Sequence, residues 1–427
     1  MSSKNLEIER LRAVAVLLVM YAHAPFNRLF TPYLYSTFTG VDLFFVISGF
    51  VVSRSFMRSI SDIGGLDLTT RISESRNQVI AFYLRRVFRI APSASLYVVI
   101  IFLVSVLLRL DGSTSPFAHP ANIFREVVAI YGGVYNYALA AGAVTDNLAP
   151  YWSLAVEEHF YMIAPILLIV CARRQQRIAV LLAGIAIVLT VFRPLTSGNI
   201  INVSHTRFDA LFYGVLISVL FERHSRIRMA NLERLHSRDT ASHIRLPAIL
   251  VSSRFRPALK TAIAFGACAM LALLPGVTNT ALLDGTASPN FDTSSAALLS
   301  YEFVSVALVL LATLSRGWIF DIPLLRSVLE YVGSRSYAVY LAHWVVIQTY
   351  NDLFFRYYEE IPEFLKLTRT GYCIQFAVYA AVSFLLAEAS YRIVERPFIR
   401  MGSVILTSTL LQNKSAAPSR SERPHQF

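Results

Sequence analysis

The sequence predicts an all-α, polytopic integral membrane protein, and three observations support this fold class. The 427 residues are 55% hydrophobic and only 15% charged, with a mean hydropathy of +0.52, which is too apolar for a soluble protein of this size. Apolar segments long enough, or nearly long enough, to cross a bilayer recur ten times along the chain. Lysines and arginines are concentrated in alternate connections between these segments.

The ten apolar segments occupy 11–30, 41–58, 90–109, 150–171, 178–193, 207–221, 261–278, 296–314, 336–355 and 371–391. If the chain starts in the cytoplasm and crosses at each segment, 31 of its 39 lysines and arginines fall on the cytoplasmic side. This bias predicts about ten transmembrane helices with both termini cytoplasmic. It also explains the net charge of +12, so we exclude nucleic acid as a partner.

The first segment has an ionisable residue near each end, Arg12 and His23. At about 100° per residue these side chains share one helix face to within about 20° and lie about 16 Å apart along the axis. Because ionisable groups in a span usually face a bundle interior, we interpret this face as lining a functional cavity. Two simpler explanations stay open, since Arg12 alone is also a topological signal and His23 can simply bond a neighbouring helix. We expect the segment to be retained rather than cleaved as a signal peptide, because Pro25 would obstruct cleavage.

Charged residues also mark the next two segments. Residues 40–50 (GVDLFFVISGF) place Asp42 near the outer end of the second span, where packing or a helix cap explains the pattern from physics alone. Arg85, Arg86 and Arg89 lie about one helical turn apart at the cytoplasmic end of the third span. Three guanidinium groups together suit a pyrophosphate or a ribose phosphate, although arginines are expected at a cytoplasmic helix end in any case.

Three regions outside the spans differ in character. Residues 121–142 are apolar but contain a glycine pair, and we place them as an outer-face or re-entrant element. The arginine-rich loop 222–260 either lies on anionic lipid headgroups or is a solvated cytoplasmic loop. After a single domain over 1–400, residues 401–427 form a polar cytoplasmic tail that we expect to be disordered.

A polar stripe follows one face of the fourth segment, where Ser153, Glu157 and Tyr161 recur at every fourth position. If the helices bring Glu157 to His23, the carboxylate would orient the imidazole and stabilise its protonated form; a helix-to-helix hydrogen bond or an exposed carboxylate also explains it. His343 lies in the middle of a span, which packing alone does not explain. No close-spaced ligand pair such as HExxH or CxxC occurs, so we predict no metal site.

Seven motifs together resemble acyltransferase family 3, a group of integral membrane enzymes that includes bacterial O-antigen and other surface-polysaccharide O-acetyltransferases. They are Arg12 with ten residues before His23, GVDLFFVISGF, RRVFR, WSLAVEEHFY, RFDALFYG, SYAVYLAHW and VERPF. The resemblance runs from about Leu6 to Pro397. It implies transfer of an acyl group, commonly acetyl, from cytoplasmic acyl-CoA to a hydroxyl of a sugar or related acceptor at the membrane.

The resemblance also implies roles for individual residues. His23 is the essential histidine, expected to act as general base toward the acceptor hydroxyl, with an acyl-histidine intermediate left open. Glu157 is the supporting carboxylate beside it. The side chains that engage the CoA phosphates are Arg12, Arg86 and Arg89. The side chains that support the site or face the acceptor are Asp42, Ser153, Tyr161, Arg207 and His343.

Three features limit what the resemblance implies. Val345 stands where many relatives have proline after HW, and the loop 222–260 is longer than usual, so the substrate preference is not carried over. The chain ends soon after VERPF, and we therefore expect no fused extracytoplasmic SGNH-type domain.

We predict a multi-pass O-acyltransferase of a bacterial inner membrane, in contact with membrane lipids. It uses acetyl-CoA or another acyl-CoA as co-substrate, without a bound cofactor, and acts on a cell-surface carbohydrate or a lipid-linked glycan. A non-sugar acceptor, such as an antibiotic, or peptidoglycan is an alternative within the same chemistry. The rival class is a proton-coupled carrier of an anionic solute, in which His23, Glu157 and His343 form a proton relay.

Overall fold

The computed structural model describes residues 5–24, 37–60, 63, 65–196, 200–234, 257–278, 294–314, 317–366 and 368–415. Every regular element within these ranges is helical. The α-helices are, in chain order, α1 Leu6–His23, α2 Gly40–Ser59, α3 Leu68–Leu110, α4 Pro120–Tyr131, α5 Tyr135–Ala140, α6 Tyr151–Val170, α7 Arg174–Leu195, α8 Phe208–Arg234, α9 Pro257–Thr278, α10 Ser295–Thr313, α11 Pro323–Ser334, α12 Ser336–Arg356, α13 Arg369–Ser390 and α14 Arg396–Ser415.

A helix lies on each of the ten predicted apolar segments, so the all-α class is confirmed for the described part of the chain. Six helical stretches within it are long and apolar enough to cross a membrane: α2, α3, α6, α7, α10 and the run from α13 into α14. The apolar parts of α8 and α9 are shorter. Helix α1 carries Glu7, Glu9, Arg10 and Arg12 near its start, which lowers its hydropathy. The total of ten spans and the cytoplasmic position of both termini stay predictions.

Helix α1 packs against α2, α10, α11 and α12, and its residues Leu11, Ala13 and Ala15 are completely buried. Small residues let the neighbouring backbones approach it closely. A Cβ atom added at Gly40 of α2 would lie 2.3 Å from the carbonyl oxygen of Ala15, and one added at Gly333 of α11 would lie 1.8 Å from that of Glu9. Gly40 and Gly333 therefore set the spacing of α2 and α11 against α1.

The first turn of α1 is tied to the segment that precedes α11. Glu7 accepts hydrogen bonds from the backbone N–H groups of Gly317, Trp318 and Ile319 at 3.0, 3.1 and 3.1 Å. Arg10 donates to the carbonyl oxygen of Ile319 at 2.7 Å. Buried charges are stable only when they are paired or hydrogen-bonded, so these contacts fix the depth of α1 in the bundle.

The element predicted over 121–142 consists of two short helices, α4 and α5, separated by Gly132 and Gly133. Gly133 has a φ of +69°, in the left-handed region that glycine adopts without steric cost. The glycine pair therefore ends one helix and lets the chain turn before the next.

The end of the described chain differs from the prediction. Part of the tail expected to be disordered over 401–427 is helical, because α14 continues to Ser415. Leu406 is buried, and the helix lies so close to α3 that a Cβ atom added at Gly402 would be 2.7 Å from the Cβ atom of Phe88. Apolar contact with α3 thus stabilises the first part of the predicted tail as a helix. The tail as a whole is polar because of the residues that follow this part.

The predicted basic loop 222–260 is described only at its two ends. Residues 222–234 continue α8 and residues 257–260 begin α9, while 235–256 lie outside the described residues, as do the last twelve residues of the tail.

Candidate active site

A cavity of about 80 Å³ opens between α1, α2, α3, α6 and α12. Arg12 of α1 and Arg86 and Arg89 of α3 line it. Arg86 and Arg89 are three positions apart and share a helix face, whereas Arg85 is turned away and exposed. Among the described residues of the lining, Glu157 is the only acidic side chain, so the cavity has an excess of positive charge.

Neighbouring side chains orient two of these arginines, Arg86 and Arg12. The guanidinium carbon of Arg86 lies 5.6 Å from the ring centroid of Phe82 and 5.2 Å from that of Tyr161, within cation–π range. Arg12 Nη1 lies 3.6 Å from Oε1 of Glu9, one helical turn earlier. Guanidinium groups oriented in this way on one cavity wall suit bidentate binding of phosphate oxygens.

The polar stripe predicted on α6 faces this cavity, because Ser153, Glu157 and Tyr161 all line it. The hydroxyl group of Tyr161 donates to Glu157 Oε2 and lies 2.9 Å from Ser48 Oγ. At the opposite end of the stripe, Ser153 Oγ lies 2.6 Å from the hydroxyl oxygen of Tyr340. We call the side of the cavity formed by Arg12, Arg86 and Arg89 the arginine wall. The stripe therefore connects the arginine wall with α12.

His23 lies at the end of α1 with a defined tautomer. Its Nδ1 atom is 2.9 Å from the carbonyl oxygen of Val19, and because a carbonyl oxygen only accepts, Nδ1 must carry the hydrogen. In the neutral imidazole the lone pair is then on Nε2. Two rings of α12 contact His23, since the ring centroid of His343 lies 5.2 Å away and that of Trp344 lies 5.1 Å away at 89°.

His343 connects His23 with the cavity. It is completely buried, its Nδ1 atom lies 3.3 Å from the carbonyl oxygen of Val339, and its Nε2 atom has no hydrogen-bond partner among the described residues. Its ring centroid lies 5.6 Å from that of Tyr340, which lines the cavity. A row of rings therefore leads from the cavity through Tyr340 and His343 to His23.

The structure brings Glu157 to the arginines rather than to His23. Glu157 shares the cavity lining with Arg12 and Arg86, whereas the rings against His23 come from α12. The predicted contact between the Glu157 carboxylate and His23 is therefore not seen among the described contacts, and Glu157 lies where it balances the charge of the guanidinium groups.

Asp42 and Arg207 lie outside this cavity, in a buried cluster of charges. Arg207 Nη2 bonds to Asp42 Oδ1, and Arg193 Nη2 lies 2.7 Å from Asp209 and 2.6 Å from Glu302. All five side chains are buried, and they join α2, α7, α8 and α10. We therefore place Asp42 and Arg207 in helix packing rather than against a substrate.

Three residues of the site had no role in the sequence analysis: Ser48, Tyr340 and Trp344. Tyr340 precedes His343 by three positions, so helical periodicity alone places both side chains on one face of α12. That signal was present in the motif SYAVYLAHW. Ser48 carried no comparable signal, because its partner Tyr161 is on another helix.

Comparison with known proteins finds one family of membrane enzymes along most of the chain. A family model described as an acyltransferase domain matches residues 5–391. A Staphylococcus aureus (strain COL) protein named as a candidate O-acetyltransferase is 24% identical over 416 residues, which are 92% of this chain and 57% of the relative. The peptidoglycan O-acetyltransferase OatA of Listeria monocytogenes is 23% identical over 418 residues, which are 93% of this chain and 56% of the relative.

A third relative, a Bacillus subtilis protein named as a candidate peptidoglycan O-acetyltransferase, is 30% identical over 173 residues, which are 38% of this chain and 23% of the relative. The chain thus spans little more than half the length of the relatives that it matches over most of its residues. No solved structure matches the chain.

Proposed function

The chain belongs to the acyltransferase domain family, and on this premise we propose that it transfers an acetyl group from acetyl-CoA to a hydroxyl of a cell-envelope glycan. The observation that carries the proposal is a cavity with three arginines, connected by a row of rings to a histidine whose lone pair is on Nε2. A phosphate-bearing acyl donor and a general base are the two requirements of this reaction.

Acetyl-CoA is the donor that fits the arginine wall. Arg12, Arg86 and Arg89 bind its phosphates, because guanidinium groups form paired charge-assisted hydrogen bonds with phosphate oxygens. The thioester of CoA is at the end of a long flexible arm, so it reaches a reaction centre remote from the phosphates. With both termini cytoplasmic, as the charge bias predicts, the arginines face the compartment in which acyl-CoA is made.

His23 acts as the general base in this proposal. Its Nε2 atom takes the proton of the acceptor hydroxyl as the oxygen attacks the thioester carbonyl carbon. The new C–O bond forms, the C–S bond breaks, and the CoA thiolate leaves and receives the proton. Tyr340 and Ser153 position the donor between the arginines and His23, and Glu157 orients Tyr161 and balances the charge of Arg86.

The acceptor is a carbohydrate hydroxyl, and we propose two classes of carbohydrate that can supply it. Surface polysaccharide or lipid-linked saccharide is the acceptor implied by the motif resemblance. Peptidoglycan is favoured by the names of the Listeria and Bacillus relatives. Either acceptor is consistent with an enzyme of the cytoplasmic membrane, which meets the donor on the cytoplasmic side and the acceptor at or across the bilayer.

The experiment that tests the proposal is transfer of labelled acetyl from acetyl-CoA in membranes that contain the full chain. Isolated peptidoglycan and total envelope polysaccharide serve as acceptors in parallel, and His23→Ala is compared with His119→Ala as a control histidine outside the site. Label that is lost only with His23→Ala supports the proposal. Equal labelling by both variants removes His23 from catalysis, and proton-driven uptake of an anion without acetyl transfer supports the carrier instead.

A further inference from the structure

Glu126 of α4 is a buried carboxyl group that the proposed reaction does not use. It is completely inaccessible to solvent and lies outside the candidate membrane spans. Its Oε2 atom accepts hydrogen bonds from Leu148 N at 2.7 Å and Tyr135 Oη at 3.0 Å. Its Oε1 atom accepts from Thr145 Oγ1 at 2.5 Å and from the backbone N and Nδ2 of Asn147 at 3.2 and 2.9 Å.

These five hydrogen bonds organise the connection that leads into α6. Residues 145–148 contain little regular structure of their own, so their conformation depends on side-chain contacts. Each oxygen of Glu126 holds one backbone N–H group of this connection, that of Asn147 on Oε1 and that of Leu148 on Oε2. The two successive peptide groups that flank the Cα atom of Asn147 are therefore both held by Glu126, and the second of them carries the Asn147 carbonyl oxygen.

The carbonyl oxygen of Asn147 continues the chain of contacts toward His23. It accepts a hydrogen bond from Trp344 Nε1 at 2.7 Å, and Trp344 is a buried residue of α12. The indole ring in turn meets the ring of His23 at 89° with 5.1 Å between centroids. Ring pairs prefer edge-to-face or offset arrangements over a face-to-face sandwich, so this contact favours the observed orientation of the imidazole ring.

We propose that Glu126 is a positioning residue for His23, acting through Asn147 and Trp344. By fixing the Asn147 carbonyl group it sets the orientation of the indole ring, and the indole ring sets the orientation of the imidazole ring. The terminal torsion of a histidine side chain is otherwise broad, so the ring needs such a contact to keep Nε2 aimed at one point. This inference rests on the proposed function, in which Nε2 is the base.

Precise orientation matters because a displacement of about 1 Å at a reacting group can cost on the order of 100-fold in rate. The second contact of His23, with His343, restrains one side of the ring only. Val19 holds Nδ1, but a single hydrogen bond leaves the ring free to rock about it. Trp344 supplies the remaining restraint.

Glu126→Gln is the sharpest probe of this relay. Glutamine has the same shape but only one oxygen, so it cannot accept from the backbone N–H groups of both Asn147 and Leu148. Asp146→Asn is the matched control, because it removes one carboxylate from the same connection at an exposed position. Trp344→Phe breaks the relay at its second step by removing the indole N–H group.

Two measurements on the full chain test the proposal. The first is the rate at which diethyl pyrocarbonate modifies His23, followed by peptide mass spectrometry, which needs no acceptor. The second is acetyl transfer from labelled acetyl-CoA. We expect Glu126→Gln and Trp344→Phe each to raise the rate of His23 modification at least 3-fold. Both variants should also lower kcat at least 10-fold and leave the KM for acetyl-CoA unchanged. The control Asp146→Asn should behave like the wild type in both measurements.

The double variant decides whether the effect passes through Trp344. If Glu126→Gln acts through the indole, adding it to Trp344→Phe changes the His23 modification rate no further. Unchanged His23 reactivity in folded Glu126→Gln, or effects that add in the double variant, would overturn the proposal and leave Glu126 as a local structural residue. Retained transfer by His23→Ala would overturn the proposed function instead, while the modification rates would still report whether Glu126 fixes the ring.

Discussion

The imidazole rings of His23 and His343 lie 5.2 Å apart, measured between centroids, with 43° between their planes. One ring comes from the end of α1 and the other from α12, so two histidines from distant motifs form a single site. Both have Nδ1 directed at the carbonyl oxygen four residues earlier, which leaves Nε2 of each ring as the available lone pair. The site therefore contains two adjacent imidazole acceptors rather than the histidine–carboxylate pair that the sequence suggested.

This arrangement predicts different effects for two substitutions at His343. His343→Phe keeps a ring against His23 but removes Nε2, so we expect near-normal thermal stability and at least a 10-fold loss of acetyl transfer. His343→Ala also leaves a cavity, and cavities of this size cost on the order of 2–5 kcal/mol, so its melting temperature should fall as well. Activity and melting temperature of purified protein in detergent separate the two effects. Full activity in His343→Phe would restrict His343 to packing.

The local parts of the site were predictable from the sequence. The stripe of Ser153, Glu157 and Tyr161 faces one cavity, as predicted, because helical periodicity fixes which residues share a face. Periodicity also places Arg86 and Arg89 on one face of α3, whereas the motif resemblance alone groups them with Arg12 of α1; all three line the cavity.

The pairing between helices was not predictable in the same way. Glu157 was expected beside His23, but the ring beside it is His343, because tertiary packing decides which helix faces meet. Physics alone explains Asp42 by packing or by a helix cap and names no partner for it, and its partner Arg207 is 165 residues away in sequence. Such contacts follow from the glycine-mediated approach of α2 and α8, which no local pattern specifies.

The arginine wall predicts a selective loss of donor affinity. Arg86→Ala combined with Arg89→Ala removes two guanidinium groups, and hydrogen bonds to charged groups contribute about 1.5–3 kcal/mol each. We expect the KM for acetyl-CoA to rise about 10- to 100-fold, with a smaller change in kcat. Arg85→Ala is the control, because Arg85 is on the same turn but exposed. An unchanged KM in the double variant would assign the two arginines to membrane topology.

The buried cluster of charges predicts that the loss of Arg207 lowers the free energy of unfolding more than the loss of the Asp42 charge. Two arginines face three carboxyl groups there, so Asp42→Asn leaves equal numbers of each charge, whereas Arg207→Met leaves one arginine with three carboxyl groups. Breaking a buried pair costs about 3–5 kcal/mol when the remaining charge is uncompensated. We expect that loss for Arg207→Met and a clearly smaller one for Asp42→Asn.

Thermal unfolding in detergent measures this difference. Arg326→Met is the matched control, because Arg326 pairs with Asp321 at 3.4 Å on the surface, where such pairs contribute about 0–1 kcal/mol. Equal destabilisation by Arg207→Met and Asp42→Asn would contradict the charge argument.

The burial of Glu126 predicts that the free energy of unfolding depends on pH. Burial raises the pKa of Glu126 above its ordinary value of 4.5, outweighing the hydrogen bonds that lower it. The folded protein therefore binds this proton at higher pH than the unfolded chain, so the stability that the proton supplies is lost as pH rises through the raised pKa. The melting temperature of the wild type relative to Glu126→Gln should fall as pH rises from 4.5 to neutrality. A difference that is constant or that grows would contradict the raised pKa.

Gly49 lies where α2 crosses α8, and the close approach of the two helices predicts that no larger side chain fits at this position. A Cβ atom at this position would lie 2.0 Å from the carbonyl oxygen of Leu211, so Gly49→Ala forces the two backbones apart. Overpacking of this kind costs about 1–3 kcal/mol, and it would also separate Asp42, in the first turn of α2, from Arg207, directly before α8. Gly266→Ala in α9 is the opposite case, because nothing lies within 4 Å of its Cβ position and alanine favours a helix by about 0.5–1 kcal/mol. The melting temperature should fall for Gly49→Ala and stay level or rise for Gly266→Ala. A fall for both variants would mean that these helical glycines act through backbone flexibility rather than through close approach of the helices.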